Sequence, residues 1–126
     1  MTVDSGASET VMRKYTLEQV PIIKGGPHNR GVKYEVANGE IVDNEGERNF
    51  VAETEEGFTR SLKAQVCGVN RDLLSVSKLV KNGSRVVFSS AGSYVQDEQT
   101  GQHMWLKEAG GMYTLSLWVK GNGSGF

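Results

Sequence analysis

The chain has 126 residues, with 14 basic against 15 acidic side chains, a net charge of −1, and 16 glycines beside only two prolines. This length predicts a single domain and excludes an enzyme whose complete site lies between two lobes of one chain; the near-neutral balance excludes an electrostatic grip on nucleic acid or an anionic membrane. A single cysteine, Cys67, excludes an intrachain disulfide and fits a reducing compartment or simple indifference to redox state.

In chain order, the longest apolar run is Val20-Pro21-Ile22-Ile23, far short of the roughly 20 residues that span a bilayer. No basic and apolar leader opens the chain, so a soluble protein is expected. Asn38-Gly39, between Val32–Val36 and Glu40–Val42, predicts a two-residue hairpin turn, because Asn and Gly both tolerate the positive φ of a type I′ turn. Residues 40–56 hold seven acids against Arg48 alone, the pattern of a solvated hairpin face. Phe58, Leu62, Ala64 and Val66 alternate with Thr59, Ser61, Lys63 and Gln65, which predicts a half-buried strand.

The period then changes. Leu73, Val76, Leu79 and Val80 fall at helical spacing, with Asp72 or Asn70 able to cap and Gly83 to stop, so one short helix is expected near residues 72–82. Strands resume at Arg85–Phe88, Ser93–Val95, His103–Leu106 and Met112–Val119. Turn signals about every 8–12 residues complete the picture of a mostly β chain. Trp105 and Trp118 are expected in the core or an interface, and 120–126 is a glycine-rich, flexible tail.

The stretch most informative about chemistry is Val3-Asp4-Ser5-Gly6-Ala7-Ser8, followed by apolar Val11 and Met12. A strand delivers Asp4 to a turn, Gly6 permits close approach of another backbone, and Ser5 can hydrogen-bond to a neighbouring loop. Other chemistries find little support. Ser5 lacks a Gly-x-Ser-x-Gly setting and a paired histidine, no phosphate-binding glycine loop occurs, and His28, Cys67 and His103 have no metal-ligand spacing. Cys67 reads as a packed thiol.

The Asp4 stretch resembles the active-site loop of aspartic proteases, most closely the retropepsins of retroviruses and copia-type retrotransposons. Val66-Cys67-Gly68 and Asn70-Arg71-Asp72-Leu73-Leu74-Ser75-Val76 look like the family's second signature, and Asp72–Leu79, Arg85–Phe88 and Gly111–Leu115 are similar to copia-type segments. The resemblance covers Val3 to about Leu117 and implies an acid-protease β-barrel over 1–119, with 84–119 supplying extra C-terminal strands. It implies a polyprotein-cleaving endopeptidase without metal or cofactor, working in the cytoplasm or in virus-like particles. Because one chain supplies one catalytic aspartate, Asp4 from each of two chains would meet in a homodimer and activate water. Ser5, Gly6 and Ala7 would shape the loop, Ser8 and Glu9 would contact a peptide substrate, and Arg71 would brace Glu9.

Asn38 and Gly39 would form the flap over the substrate, with the loop Lys24–Gly31 as its rival. The family carries a longer segment ahead of its aspartate than the three residues preceding Asp4. The alternative reading is therefore a degenerate or truncated domain that holds peptide or a partner strand without cutting.

Overall fold

A computed structural model describes residues 1–36 and 38–119; the tail expected over 120–126 lies outside them. The elements in chain order are β1 (Thr2–Asp4), β2 (Val11–Met12), α1 (Gly26–Asn29), β3 (Lys33–Glu35), β4 (Ile41–Asp43), β5 (Gly46–Thr54), β6 (Thr59–Val66), β7 (Leu73–Ser75), α2 (Val76–Lys81), β8 (Ser84–Val87), β9 (Tyr94–Asp97), β10 (His103–Trp105), β11 (Lys107–Ala109), β12 (Met112–Thr114) and β13 (Leu117–Val119). The protein is mostly β.

The longest ladder is the β5–β6 hairpin, paired from Gly46↔Val66 to Glu53↔Thr59. The expected alternation holds along most of β6: Ala64 and Val66 are buried beside Phe50 and Ala52, while Thr59, Ser61 and Lys63 face water; Gln65, expected on the solvent side, is buried as well, its Oε1 accepting from Asn44 Nδ2. Part of the acidic run departs from a solvated face, because Glu47 and Arg48 are both buried. Arg48 stands opposite Ala64 on the core side, and its guanidinium donates to the carbonyls of Val20, Arg13 and Lys14 at 2.9, 3.2 and 2.7 Å. Three backbone acceptors of the 13–20 segment, where Leu17 sits at φ 55, thereby find a donor that the strands do not offer.

Eight strands form one sheet in the order β11-β12-β1-β7-β2-β6-β5-β13. It is open rather than the closed barrel expected, since β11 and β13 are its edges. It is nevertheless rolled: β12 and β13 lie roughly 29 Å apart in a flat sheet of this order, yet Leu115 and Ser116 alone connect them, and three Cα steps reach about 11 Å at most. Inside the roll lie Met12, Leu74, Leu117 and Val66. A three-stranded sheet, β10-β9-β8, adds the line Val86, Val95 and Met104 to the same cluster.

The helix differs from its expected span. Leu73-Leu74-Ser75 is strand, running parallel to β1 (Thr2↔Leu73, Val3↔Leu74, Asp4↔Ser75) and pairing with β2 at Val11↔Leu73. Backbone groups of β1 and β2 need partners in this slot, and that need overrides the helical period of the side chains. α2 therefore starts at Val76, and its cap is Ser75, whose Oγ accepts from the Lys78 N–H at 3.1 Å; neither Asp72 nor Asn70 serves. The second helix, α1, was not expected and forms inside the glycine-rich 24–31 loop, with Pro27 pre-setting φ in its first turn. Met112–Val119 is two strands instead of one, and β11 is an addition.

Of the two places expected for the tryptophans, the core of the chain is not where they lie. Trp105 and Trp118 are 51% and 39% exposed, because their neighbours Met104, Leu117 and Val119 take the inward positions of the alternation. Trp105 stacks on His103 and meets Tyr94 edge-on, on the outer face of the smaller sheet.

Candidate active site

Asp4 ends β1 and is half-buried, and its Oδ1 accepts from the Gly6 N–H at 2.7 Å. Gly6 keeps this turn uncrowded: a Cβ there would stand 3.3 Å from Asp4 Oδ1, so the carboxylate would have to give by a few tenths of an ångström. The chain continues through exposed Ser5 and Ser8 to buried Thr10 and then β2. Since β7 threads between β1 and β2, both ends of the Asp4 loop hang on one strand.

The loop's lock is not the one expected. Ser5 is exposed and makes no bond to another loop among the described residues. Ser75 does this instead, its Oγ donating to the Ala7 carbonyl at 2.6 Å and its N–H to Thr10 Oγ1 at 3.1 Å. Asp72 fixes the chain beyond β2. Its carboxylate accepts from the Arg13 N–H at 2.9 Å, from the Arg13 guanidinium at 3.2 and 3.3 Å, and from Thr16 Oγ1 at 3.2 Å. This bonding raises the Arg13 guanidinium above its ordinary value, chiefly through the hydrogen bond and then through the opposite charge.

The brace expected between Arg71 and Glu9 is absent. Glu9 pairs with Lys78 at 3.3 Å, and Arg71 is exposed with its guanidinium on Met112 Sδ. The cause is the shortened helix. Arg71 precedes a strand, so Lys78 is the basic residue that reaches the loop from α2.

Asp4 opens onto a cleft of about 1060 Å³. It is lined by Gly6, Ala7, Ser8 and Glu9, by Cys67–Arg71, and by β3 and the turn that follows it, with Asn38 and Gly39. The rival loop 24–31 does not line it; its His28 Nδ1 instead meets the Asn44 carbonyl at 2.8 Å. The hairpin turn differs from the two-residue type I′ expected. The Val36 N–H bonds to the Glu40 carbonyl and the Gly39 N–H to the Val36 carbonyl, leaving three residues in the loop, and of the Asn38-Gly39 pair only Gly39 has positive φ, at 83°. That is the three-residue form, in which a glycine in the left-handed region closes a turn.

The hairpin's base is buried. Asn44 donates from Nδ2 to Tyr34 Oη at 3.0 Å and to Gln65 Oε1 at 2.8 Å, and accepts at Oδ1 from the Gly46 N–H at 2.8 Å. Burial raises the Tyr34 phenol, and the Asn44 hydrogen bond partly offsets this. Cys67 is buried in the wall, where burial and then Glu45 push its thiol up to about 11. A thiol so protonated is no nucleophile near neutrality.

Ser75, Thr10 and Asn44 are the residues that sequence reasoning missed, and Asp72 was expected as a helix cap instead of the anchor of Arg13 and Thr16. A serine three residues before Lys78 at the start of an apolar-periodic run is itself a capping signal, and it would have found Ser75. Among the described residues no group of three or more His, Cys, Asp or Glu could hold a metal ion, and no helix is long and apolar enough to cross a membrane. No family model, curated protein or solved structure matches the chain.

Proposed function

We propose that the chain is a retropepsin-like aspartic endopeptidase, assembled from two copies and cutting a retrotransposon polyprotein inside the cell or within virus-like particles. The observation that carries this reading is Asp4 on a pinned Asp-Ser-Gly turn, in a cleft that a glycine-tipped hairpin also lines. A carboxylate so placed can meet a peptide laid along the cleft, and the hairpin can close over it.

One Asp4 carboxylate, ionised, accepts a proton from water as that water attacks the scissile carbonyl carbon. The other, protonated, donates to the carbonyl oxygen. Collapse of the diol breaks the C–N bond: one diol hydroxyl returns its proton to the second carboxylate as the carbonyl re-forms, and the amine leaves with the proton that the first carboxylate took. No covalent intermediate forms. Cleavage follows a bell-shaped dependence on pH on the acid side of neutrality, since the pair works with one proton between them.

The test is cleavage of a mixed peptide pool from about pH 3 to pH 8, the range in which carboxyl and imidazole groups titrate. Asp4→Asn, which keeps volume and removes the base, is expected to lower the rate by at least about 10²-fold with an unchanged circular dichroism spectrum. Equal turnover by the variant, or activity that climbs steadily to pH 8, contradicts the proposal. Peptide binding without cleavage by a dimeric sample assigns the chain to peptide holding instead.

A further inference from the structure

We infer that Ser75 is the positioning residue of the Asp4 loop, holding it at three points through β7 and coupling it to α2. The inference rests on the reading of Asp4 as the catalytic carboxylate, but its geometry stands apart from that reading. Residues 5–10 link two strands, and a link of that length around exposed Ser5, Gly6 and Ser8 has no fixed shape unless partners pin it.

The three points span the loop. At its start Asp4 lies in register beside Ser75. At its middle the Ala7 carbonyl accepts from Ser75 Oγ at 2.6 Å, and at its end Thr10 Oγ1 accepts from the Ser75 N–H at 3.1 Å. The residue is fully buried, at 0% exposure, so no bulk water can replace its hydroxyl. The same Oγ accepts from the Lys78 N–H at 3.1 Å, which commits its proton to the loop and a lone pair to the helix.

This double use explains the residue type. Capping α2 needs only an acceptor, which aspartate supplies as well as serine. Aspartate cannot donate to the Ala7 carbonyl, whereas a hydroxyl serves both sides. The outer tie, Lys78 to Glu9, is partly exposed on both partners and adds little by itself. The weight of holding the loop therefore falls on Ser75.

The test compares the full chain with Ser75→Ala and Ser75→Thr by two measurements: ¹⁵N order parameters of residues 5–9, and steady-state cleavage of a peptide cut by the unmutated protein. Ser75→Ala is expected to lower the loop order parameters from about 0.85 to below about 0.6 while those of β5 and β6 stay unchanged. It should cut kcat by about ten- to a hundredfold with KM within about twofold, the mark of misplacement and not of lost binding. Ser75→Thr keeps the hydroxyl and restores both.

Should Ser75→Ala not fold, Thr10→Val removes the acceptor of the Ser75 N–H at similar shape and is expected to loosen the same residues. Loop order unchanged in the variants overturns the inference, as does a kcat loss that merely tracks the unfolded fraction. If the unmutated chain cuts nothing yet the loop loosens as described, the positioning role stands and the protease reading falls.

Discussion

The Asp4 loop and the β3–β4 hairpin both line one cleft and are held by opposite means. The loop is pinned by buried partners along its length: Ser75 at 0% exposure, Thr10 at 5%, and Asp72 just beyond at 7%. The hairpin is a two-stranded sheet of its own, with Ile41 exposed and an ion pair, Lys33 with Asp43, that lies in water. Such a pair contributes little, and a lone hairpin is marginal. Its buried attachment is at the base, through Asn44, Tyr34 and Gln65. On the proposed reading, a pinned loop and a hairpin tied at its base would let the cleft admit a chain and close on it without moving Asp4.

The comparison breaks most visibly on the side of the loop. Arg48→Met removes the guanidinium that donates to three carbonyls of the 13–20 segment; the Arg13 carbonyl keeps the Thr16 N–H, while those of Lys14 and Val20 lose the guanidinium. The expected cost is about 3–5 kcal/mol, seen as a fall in melting temperature of at least about 10 °C. A loss under about 1 kcal/mol would show that water takes over the guanidinium's role.

The cleft wall gives a pH test of comparable size. Cys67 is raised in the folded chain from its ordinary value of 9.0 to about 11, so the native thiol stays protonated while the unfolded one ionises. Its contribution, about 3 kcal/mol, is complete below about pH 9 and is lost as pH rises to about 11. The raised Tyr34 phenol adds a loss of the same sign. Urea midpoints from pH 8 to pH 11 should fall steeply for the unmutated chain and less for Cys67→Ala; parallel curves would remove Cys67 from the account.

The hairpin is the mildest target. Asn44→Ala unties Tyr34 and Gln65 and is expected to cost about 1–3 kcal/mol. Amide exchange should quicken in β3 and β4 with the Asp4 loop unchanged, and KM should rise more than kcat falls. Exchange that quickens equally in the loop would mean that loop and hairpin are one unit.

What the residues alone disclosed follows the range over which each signal acts. Alternation along 58–66 and the turn at Asn38-Gly39 are local, and they located β6 and the hairpin. The aspartate turn is equally local: Asp4 to Gly6 closes on itself by one hydrogen bond. The fate of Leu73-Leu74-Ser75 was hidden, because its helical period competes with a slot made by strands some sixty residues earlier. From that one displacement follow the shift of the cap to Ser75, the exchange of Arg71 for Lys78 as partner of Glu9, and the oversight of Ser75 as a lock. The open sheet was hidden for a similar reason, since pairing at β11 and β13 is a long-range matter.

The central claim is that each site takes one Asp4 from each of two chains, and subunit mixing tests it most directly. Unmutated chain and Asp4→Asn chain, combined in equal amounts at fixed total concentration and left to exchange, should form half their dimers as mixed pairs with one usable carboxylate. The account predicts activity of about one quarter of that of the same total of unmutated chain. A value of about one half, linear in the unmutated fraction, would show that each chain carries its own complete site and would contradict it.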